Sequence, residues 1–288
     1  RDSGPGARTG QRRVPETAPF AIVTGGGTAG HVLPALAVAE ALVARGHAPA
    51  TVHYAGCRRG IETRLLPDTP FPHHFYDVDG FQRNLSKRNL TFVPKMWRAR
   101  REAIERLRSG RPRVVVSVGG YASMPTVFAA RKLGVPIVVV SFDRTPGRAS
   151  QLAARHAAAC AVAFADSPLP RATVTGAPVR QAILDVDRER GRATARAELG
   201  LPDDRFVVAV MGGSQGSGVV NEAVWAWLDR VRDDRTLAIH HAVGERFVDR
   251  APARIDGADG VLYQPVGYEP RMPAVYAAAD LLVGRGGA

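Results

Sequence analysis

Apolar positions along the chain fall into two alternating rhythms. Short apolar runs at 20–24, 51–55, 74–78, 114–118, 137–142 and 161–164 predict strands. Between them, apolar residues recur at three- and four-residue spacing over 34–45, 62–66, 94–107, 123–133 and 148–158, which predicts helices. The first of these sets Leu36, Ala37, Ala39, Leu42 and Val43 on one face, with Pro34 near its start and Gly46 just past its end. The wholly apolar run 137–142 reads as an interior strand covered on both faces. The second half repeats the style, with strands at 206–211, 237–242, 260–264 and 281–283 and helices at 219–231 and 272–279. Strands alternating with helices imply an α/β fold with parallel sheets.

Glycine-loop openings near residues 25 and 212 suggest two doubly wound domains. The boundary is expected within 167–202, where Pro168, Pro170 and Pro178 precede a charged stretch from Asp185 to Arg196. The resulting division is a flexible polar tail at 1–18, a first domain at 19–178, and a second at 179–288 that looks incomplete. The chain begins without Met and stops at Gly286-Gly287-Ala288 directly after an apolar run, the pattern of a fragment.

Composition narrows the partner. Lys and Arg number 39 against 27 Asp and Glu, a formal charge of +12. That balance favours nucleic acid, a phosphate-bearing ligand or an anionic membrane, although part of it reflects a general abundance of Ala, Arg and Gly. Cys57 and Cys160 offer neither a disulfide framework nor metal-ligand spacing, which suits a reducing compartment. No apolar run is long enough to cross a membrane, and the polar opening residues lack the apolar core of a signal peptide.

Three strands end in glycine pairs, Gly26-Gly27, Gly119-Gly120 and Gly212-Gly213. Ligands of doubly wound sheets bind outside the carboxyl ends of strands, where glycine permits close approach and a helix N-terminus favours an anion. Any one loop is equally well a tight turn; three together favour an anionic ligand. Gly25-Gly26-Gly27-Thr28-Ala29-Gly30 fits G-x-G-x-x-G, but no acidic residue closes the next strand at Tyr54-Ala55-Gly56-Cys57, so the dinucleotide reading is weak. His31, directly after this loop, is a candidate base for a hydroxyl, or else a capping or loop histidine. Ser214, within Gly212-Gly213-Ser214-Gln215-Gly216, suits a diphosphate. Arg180 is placed to neutralise charge on a leaving group, or is one more solvated arginine. Asp77-Val78-Asp79 and Asp185-Val186-Asp187 match the Asp-x-Asp of metal-dependent transferases, in patterns too short to carry weight.

In these residues the chain resembles the MurG family of GT-B glycosyltransferases, from about Phe20 to Ala288. The resemblance rests on Gly26-Gly27-Thr28-Ala29-Gly30-His31 followed by Pro34-Ala35-Leu36-Ala37-Val38-Ala39, and on Gly119-Gly120-Tyr121-Ala122-Ser123 and Pro146-Gly147. It continues through the run to Arg180, Gly212-Gly213-Ser214-Gln215-Gly216, and Met272 with Tyr276-Ala277-Ala278-Ala279-Asp280. It implies two facing Rossmann-like domains. The implied reaction is an inverting transfer of N-acetylglucosamine from its UDP derivative to a lipid-diphosphate-linked muramyl-pentapeptide, at the inner face of the cell membrane. No cofactor or metal is implied, and the partners are a UDP-sugar, a lipid-linked acceptor and an anionic membrane surface rather than nucleic acid.

Carried over by position, Thr28, Ala29 and Gly30 lie by the donor sugar and His31 near the acceptor hydroxyl. Arg180, Gly213, Ser214 and Gln215 hold the UDP portion, and Glu269 falls where backbone groups read uracil. Gly119, Gly120 and Tyr121 shape the acceptor diphosphate site. Ala29 replaces a glycine of the family pattern. The family's His-Glu-Gln-Asn run appears as Val140-Ser141-Phe142-Asp143, which puts Asp143 where the family has Asn, on the donor side. An acidic residue and a later Gln that the family uses for the donor lie past the last residue. Two alternatives stay open: a transferase with a small hydrophobic aglycone, and a non-catalytic UDP-sugar-binding or membrane-scaffold relative.

Residues 80–108 carry nine basic side chains against Glu102 and Glu105, with Phe81, Phe92, Met96 and Trp97 interleaved. Such a surface suits anionic lipid. Equally, Val93, Met96, Trp97, Ile104 and Leu107 at helical spacing suit packing on the sheet.

Overall fold

The computed structural model describes residues 18–80, 88–213 and 215–285. The expected polar tail, except Ala18, lies outside them. By its internal contacts the chain divides into two units, one of residues 1–27 and 41–175, the other of 28–40 and 176–288.

The first unit is built on seven parallel strands: β1 Ala21–Thr24, β2 Val52–Cys57, β3 His73–Tyr76, β4 Val114–Ser117, β5 Ile137–Ser141, β6 Ala159–Val162 and β7 Ala172–Val174. Their order is β3-β2-β1-β4-β5-β6-β7. Ala21 pairs with Val52 on one side and Val114 on the other, so β1 and β4 flank the point where strand order reverses. Every residue of β1 is buried, as a strand covered on both faces requires. β5 is interior as its apolar run predicts, between β4 and β6. The core is small-chained: Ala99, Ala103, Ala129, Ala130, Ala153 and Ala154 pack with Val115, Val139 and Ile137.

The second sheet is ordered β10-β11-β9-β8-β12. Its strands are β8 Phe206–Met211, β9 Leu237–Ala242, β10 Ile255–Asp256, β11 Leu262–Val266 and β12 Leu281–Gly284, of which only β10 runs antiparallel to its neighbour. Strand order reverses here at β8, between β9 and β12.

The helices are α1 Ala29–Ala44, α2 Glu62–Leu65, α3 Arg88–Gly110, α4 Met124–Leu133, α5 Arg148–Ala154, α6 Gln181–Leu184, α7 Arg188–Leu199, α8 Gly218–Arg230 and α9 Met272–Ala278. α1 begins five residues earlier than its proline suggests. Thr28 C=O accepts both His31 N–H and Val32 N–H at 3.1 Å, and the helix runs on through Pro34, with Val32, Ala35 and Leu36 buried. Proline removes one hydrogen bond there, and packing of the buried face outweighs that loss.

The charged stretch read as a connection is mostly helix α7. Its signal is masked because arginine shares the inner face with only Ala195 and Leu199. Asp187 caps its start by accepting Arg190 N–H at 3.1 Å, and Gly200 ends it in the left-handed region (φ 68°). Arg188, Arg192 and Arg196, four apart, all reach Asp280, at 3.1, 2.8 and 2.7 Å. Arg196 is fully buried and also donates to the carbonyls of Ala278, Pro202, Asp203 and Arg205. Asp280 Oδ2 accepts Val207 N–H at 2.8 Å, which ties α7, the end of α9 and β8 together. Burial pushes the Asp280 carboxyl up, but the Val207 N–H and the arginines outweigh it and hold it below the usual carboxylate value.

Removing the charge from Asp280 strands the buried Arg196 guanidinium. Asp280→Asn should cost about 3–5 kcal/mol. Arg188→Ala, at a half-exposed position, should cost less than about 1 kcal/mol. Urea midpoints measure both, and equal losses would contradict the buried-pair account.

Candidate active site

The loops after β1 and β4 meet where strand order reverses. Gly120 adopts φ +77°, and a Cβ there would stand 2.4 Å from Gly26 C=O, so only glycine lets the two backbones touch. Tyr54 O–H donates to Gly25 C=O, and Ser123 Oγ donates to Gly120 C=O at 2.8 Å. Tyr121 lies over Gly27, where a Cβ would come within 2.7 Å of its ring. Gly119, Gly120 and Tyr121, expected on the acceptor side, are thus brought together with the first glycine loop.

Behind this contact sits a residue whose sequence context predicts only the start of a short helix. Glu62 is fully buried. Its carboxylate accepts Gly27 N–H with both oxygens at 3.2 Å and Cys57 N–H at 2.8 Å. The Cys57 thiol donates to Oε1 at 3.1 Å and lies 3.4 Å from Tyr121 Oη. Burial pushes the Cys57 thiol up to about 11, and burial followed by the Cys57 contact pushes the Tyr121 phenol upward. Gly27 N–H is therefore spent on an internal carboxylate. That amide is not among those the first loop can offer to an anion.

Beyond Gly27, Thr28 precedes the first turn of α1. His31 Nδ1 lies 3.2 Å from Thr28 Oγ1. With Nδ1–H donated to that hydroxyl, Nε2 is the ring's proton acceptor. Ala29 is the first residue of α1 and is buried. Among the described residues only Arg111 and Arg171 are non-glycine residues at positive φ, so the methyl at 29 meets no backbone strain.

In the second sheet, the loop after β8 leads into α8. Gly216 adopts φ +73°, and a Cβ there would meet Val243 C=O at 2.1 Å. Gly213 and Gln215 lie in this loop, and Gln215 C=O accepts Arg246 Nε at 3.3 Å. Ser214, expected on the diphosphate, lies outside the described residues. A buried relay braces the loop from beneath. Trp225 N–H donates to Tyr263 Oη at 3.1 Å, and Tyr263 O–H donates to His241 Nδ1 at 3.2 Å. His241 Nε2–H then donates to Asn221 Oδ1 at 3.1 Å, and Asn221 Nδ2 to Val243 C=O at 2.9 Å. Every member is satisfied only with a neutral imidazole.

Glu269 is buried in an ion cluster. It takes His240 Nε2 at 3.0 Å and Arg271 at 2.9 and 3.0 Å, and accepts Arg271 N–H at 2.8 Å. Burial raises its carboxyl, and Arg271 and His240 more than reverse this, leaving it below the ordinary value. The side chain is thus structural, which leaves its backbone as the part expected to face a base. Arg180 caps α6 and donates to Glu40 Oε1 from Nε and Nη2 at 3.0 and 2.8 Å. A diphosphate held by Arg180 would have to replace that carboxylate. Asp143 lies half-buried in the loop after β5.

The two Asp-x-Asp runs have other partners: Asp77 and Asp79 hold Lys95 at 3.1 and 2.8 Å, Asp185 accepts Gln181 Nε2 at 2.7 Å, and Asp187 caps α7. Among the described residues no group of three or more His, Cys, Asp and Glu is arranged to hold a metal.

The basic stretch divides. Phe81 and the rest of 81–87 lie outside the described residues. On α3, Ala99, Ala103, Ile104 and Leu107 are buried, whereas Val93 and Trp97 are 69% and 53% exposed. Arg101 covers the Trp97 ring at 3.6 Å. An open groove of about 700 Å³ runs along Phe92, Met96, Trp97 and Phe128, rimmed by Arg100, Arg131 and Lys132. No described helix is long and apolar enough to cross a membrane.

Two Rossmann-like units, each with a glycine loop following its first strand, define a GT-B type glycosyltransferase fold. Residues 21–162 match the glycosyltransferase family 28 N-terminal domain and residues 207–288 its C-terminal domain. The chain is 38% identical over 273 residues to the UDP-N-acetylglucosamine–N-acetylmuramyl-(pentapeptide) pyrophosphoryl-undecaprenol N-acetylglucosamine transferase of Cutibacterium acnes, covering 93% of this chain and 72% of that protein. It is 39% identical over 269 residues to the Clavibacter sepedonicus protein of the same name, covering 93% and 71%. A crystal structure of Acinetobacter baumannii MurG superposes with a TM-score of 0.59 at 26% identity, covering 94% of this chain and 74% of that one. The chain belongs to the MurG family of glycosyltransferases.

The His241 relay gives stability a pH signature. Burial first, and then neighbouring His240, hold folded His241 at about 4 against an ordinary 6.5. The unfolded chain gains a proton as the pH falls through 6.5, and the folded protein does not gain it until about 4. The stabilisation is therefore complete above pH 6.5 and is lost on the way down to 4, by as much as about 3 kcal/mol. Denaturant titrations across this window should show the decline, and His241→Gln should flatten it; parallel curves would exclude His241 as its source.

Proposed function

We propose that this protein transfers N-acetylglucosamine from UDP-N-acetylglucosamine to an N-acetylmuramyl-pentapeptide carried on undecaprenyl diphosphate. The observation that carries this reading is the 38–39% identity over 93% of the chain to transferases of that name. The geometry supports it: glycine loops stand where strand order reverses, and a histidine lies one turn into the helix that follows the first loop.

In this reading the acceptor hydroxyl attacks the anomeric carbon of the donor. The new carbon–oxygen bond forms as the bond to the diphosphate breaks, with inversion, and His31 Nε2 takes the hydroxyl proton. UDP leaves with the electron pair, stabilised by Arg180, Ser214 and the amides of the Gly212–Gly216 loop. Tyr121 and the Gly119-Gly120 turn shape the acceptor side, and Asp143 lies toward the donor. No metal or cofactor takes part. The exposed apolar and basic face of α3 docks on the anionic inner leaflet of the cell membrane, where the lipid-linked acceptor is met from the cytoplasm.

Labelled UDP-N-acetylglucosamine and the lipid-linked acceptor, incubated with the full-length protein, should give a lipid-linked disaccharide. Transfer only to small hydrophobic aglycones, or donor binding without transfer, would overturn the reading. His31→Ala should leave UDP affinity within a few-fold and lower turnover by roughly 10²–10⁴; unchanged turnover removes His31 as the base. Arg180→Ala should weaken UDP more than uridine, and equal weakening would refute the diphosphate role.

A further inference from the structure

We propose that Glu62 is a positioning residue that sets the first glycine loop and the acceptor-side turn at Gly119–Tyr121 in register, directly through Gly27 and indirectly through Cys57 and Tyr121; this rests on the acceptor reading given above. Three observations converge on it. First, the partners of its carboxylate are backbone and thiol donors: Gly27 N–H, Cys57 N–H and Cys57 Sγ–H. These donors belong to the loop after β1 and to the end of β2, so the carboxylate fixes the position of the backbone at the candidate site.

Second, the chain is cleared of side chains around it. A Cβ at Gly26 would lie 2.2 Å from Oε1, one at Gly60 1.8 Å from Oε2, and one at Gly56 3.0 Å from Cγ. Three glycines, one in the loop after β1, one in β2 and one in the turn that follows β2, therefore make room for one carboxylate. Third, its reach continues to Tyr121. The Cys57 thiol proton goes to Glu62, so Tyr121 O–H is the donor in the 3.4 Å contact with Sγ. The Tyr121 ring is held between Gly27 and Gly80, where a Cβ would meet it at 2.7 and 3.1 Å. The Gly27 amide and the Tyr121 phenol thus answer to one buried group. A shift at Glu62 moves the wall of the first loop and the ring above it together, and transfer rates fall steeply when reacting groups are misplaced by even about 1 Å.

The test is Glu62→Gln in the full-length protein, assayed with UDP-N-acetylglucosamine and the lipid-linked acceptor. Glutamine keeps the length but replaces one accepting oxygen with an NH₂ that faces N–H donors. The expected result is a fall of roughly tenfold or more in kcat/KM for the acceptor, with UDP affinity within about twofold in a variant that stays folded at the assay temperature, its melting temperature lowered by the mismatched buried donors. The Gly27 amide proton resonance should move upfield as its carboxylate acceptor is lost. A folded variant with unaltered acceptor kinetics, or one that loses UDP affinity in step, overturns the proposal.

Transfer by the parent protein in the same assay reports separately on the reaction itself. A second pair of variants guards against misfolding. Cys57→Ala removes the thiol that joins Glu62 to Tyr121, leaves the Gly27 and Cys57 backbone donors in place, and should lower acceptor kcat/KM by about threefold, whereas Cys57→Ser, whose hydroxyl still donates, should restore it. Parent-like kinetics in Cys57→Ala would refute the relay.

Discussion

Backbone pressed against backbone is the constraint on which both halves of this protein depend. At the strand reversal of the first sheet, Gly120 stands against Gly26 C=O; in the second, Gly216 stands against Val243 C=O. Neither contact admits a side chain, and each fixes the level at which a loop leaves its sheet. The two are braced differently. Beneath the first lies a single carboxylate, Glu62; beneath the second runs a neutral relay from Trp225 through Tyr263, His241 and Asn221. Loops that must accept a polar ligand cannot be stabilised by apolar burial of their own tips, so the support comes from polar groups buried one layer below.

The division of labour follows from the donors that each brace consumes. Glu62 draws Gly27 N–H inward, so that amide points into the fold. In the second unit the relay ends on a carbonyl, Val243 C=O, while Gly216 N–H closes the loop on Gly213 C=O at 2.8 Å. Similar glycine patterns in sequence thus encode different chemistry, according to what lies behind them.

Much of the fold was legible because parallel strands announce themselves by apolar runs. The strands at Phe206–Met211 and Leu237–Ala242 agree with the pattern to the residue. The failures have two causes. Helix α7 is set by arginines that converge on Asp280, and periodicity of charge on an inward face resembles a solvated linker until the partner carboxylate is known. β7 and β10, of three and two residues, are too short to carry a period. The site was legible where the motif lies in glycine and histidine. It was illegible at Glu62, whose only trace is an acidic residue just after a run bounded by Gly56 and Gly60. Nor could sequence alone show that Arg180 is engaged by Glu40, 140 residues away, because pairing at that separation is a property of the folded chain.

The cleared space around Glu62 has a consequence for how sequences of this kind drift. Gly26, Gly56 and Gly60 are empty because the glutamate is there, and the glutamate is buried without strain because they are empty. A single change at any glycine meets the carboxylate, and truncation of the glutamate leaves a void and unpaired amides. The four positions form one heritable unit, passed on intact or remodelled together. Codon-by-codon exploration should stall there, while the arginine-rich surface around it changes freely.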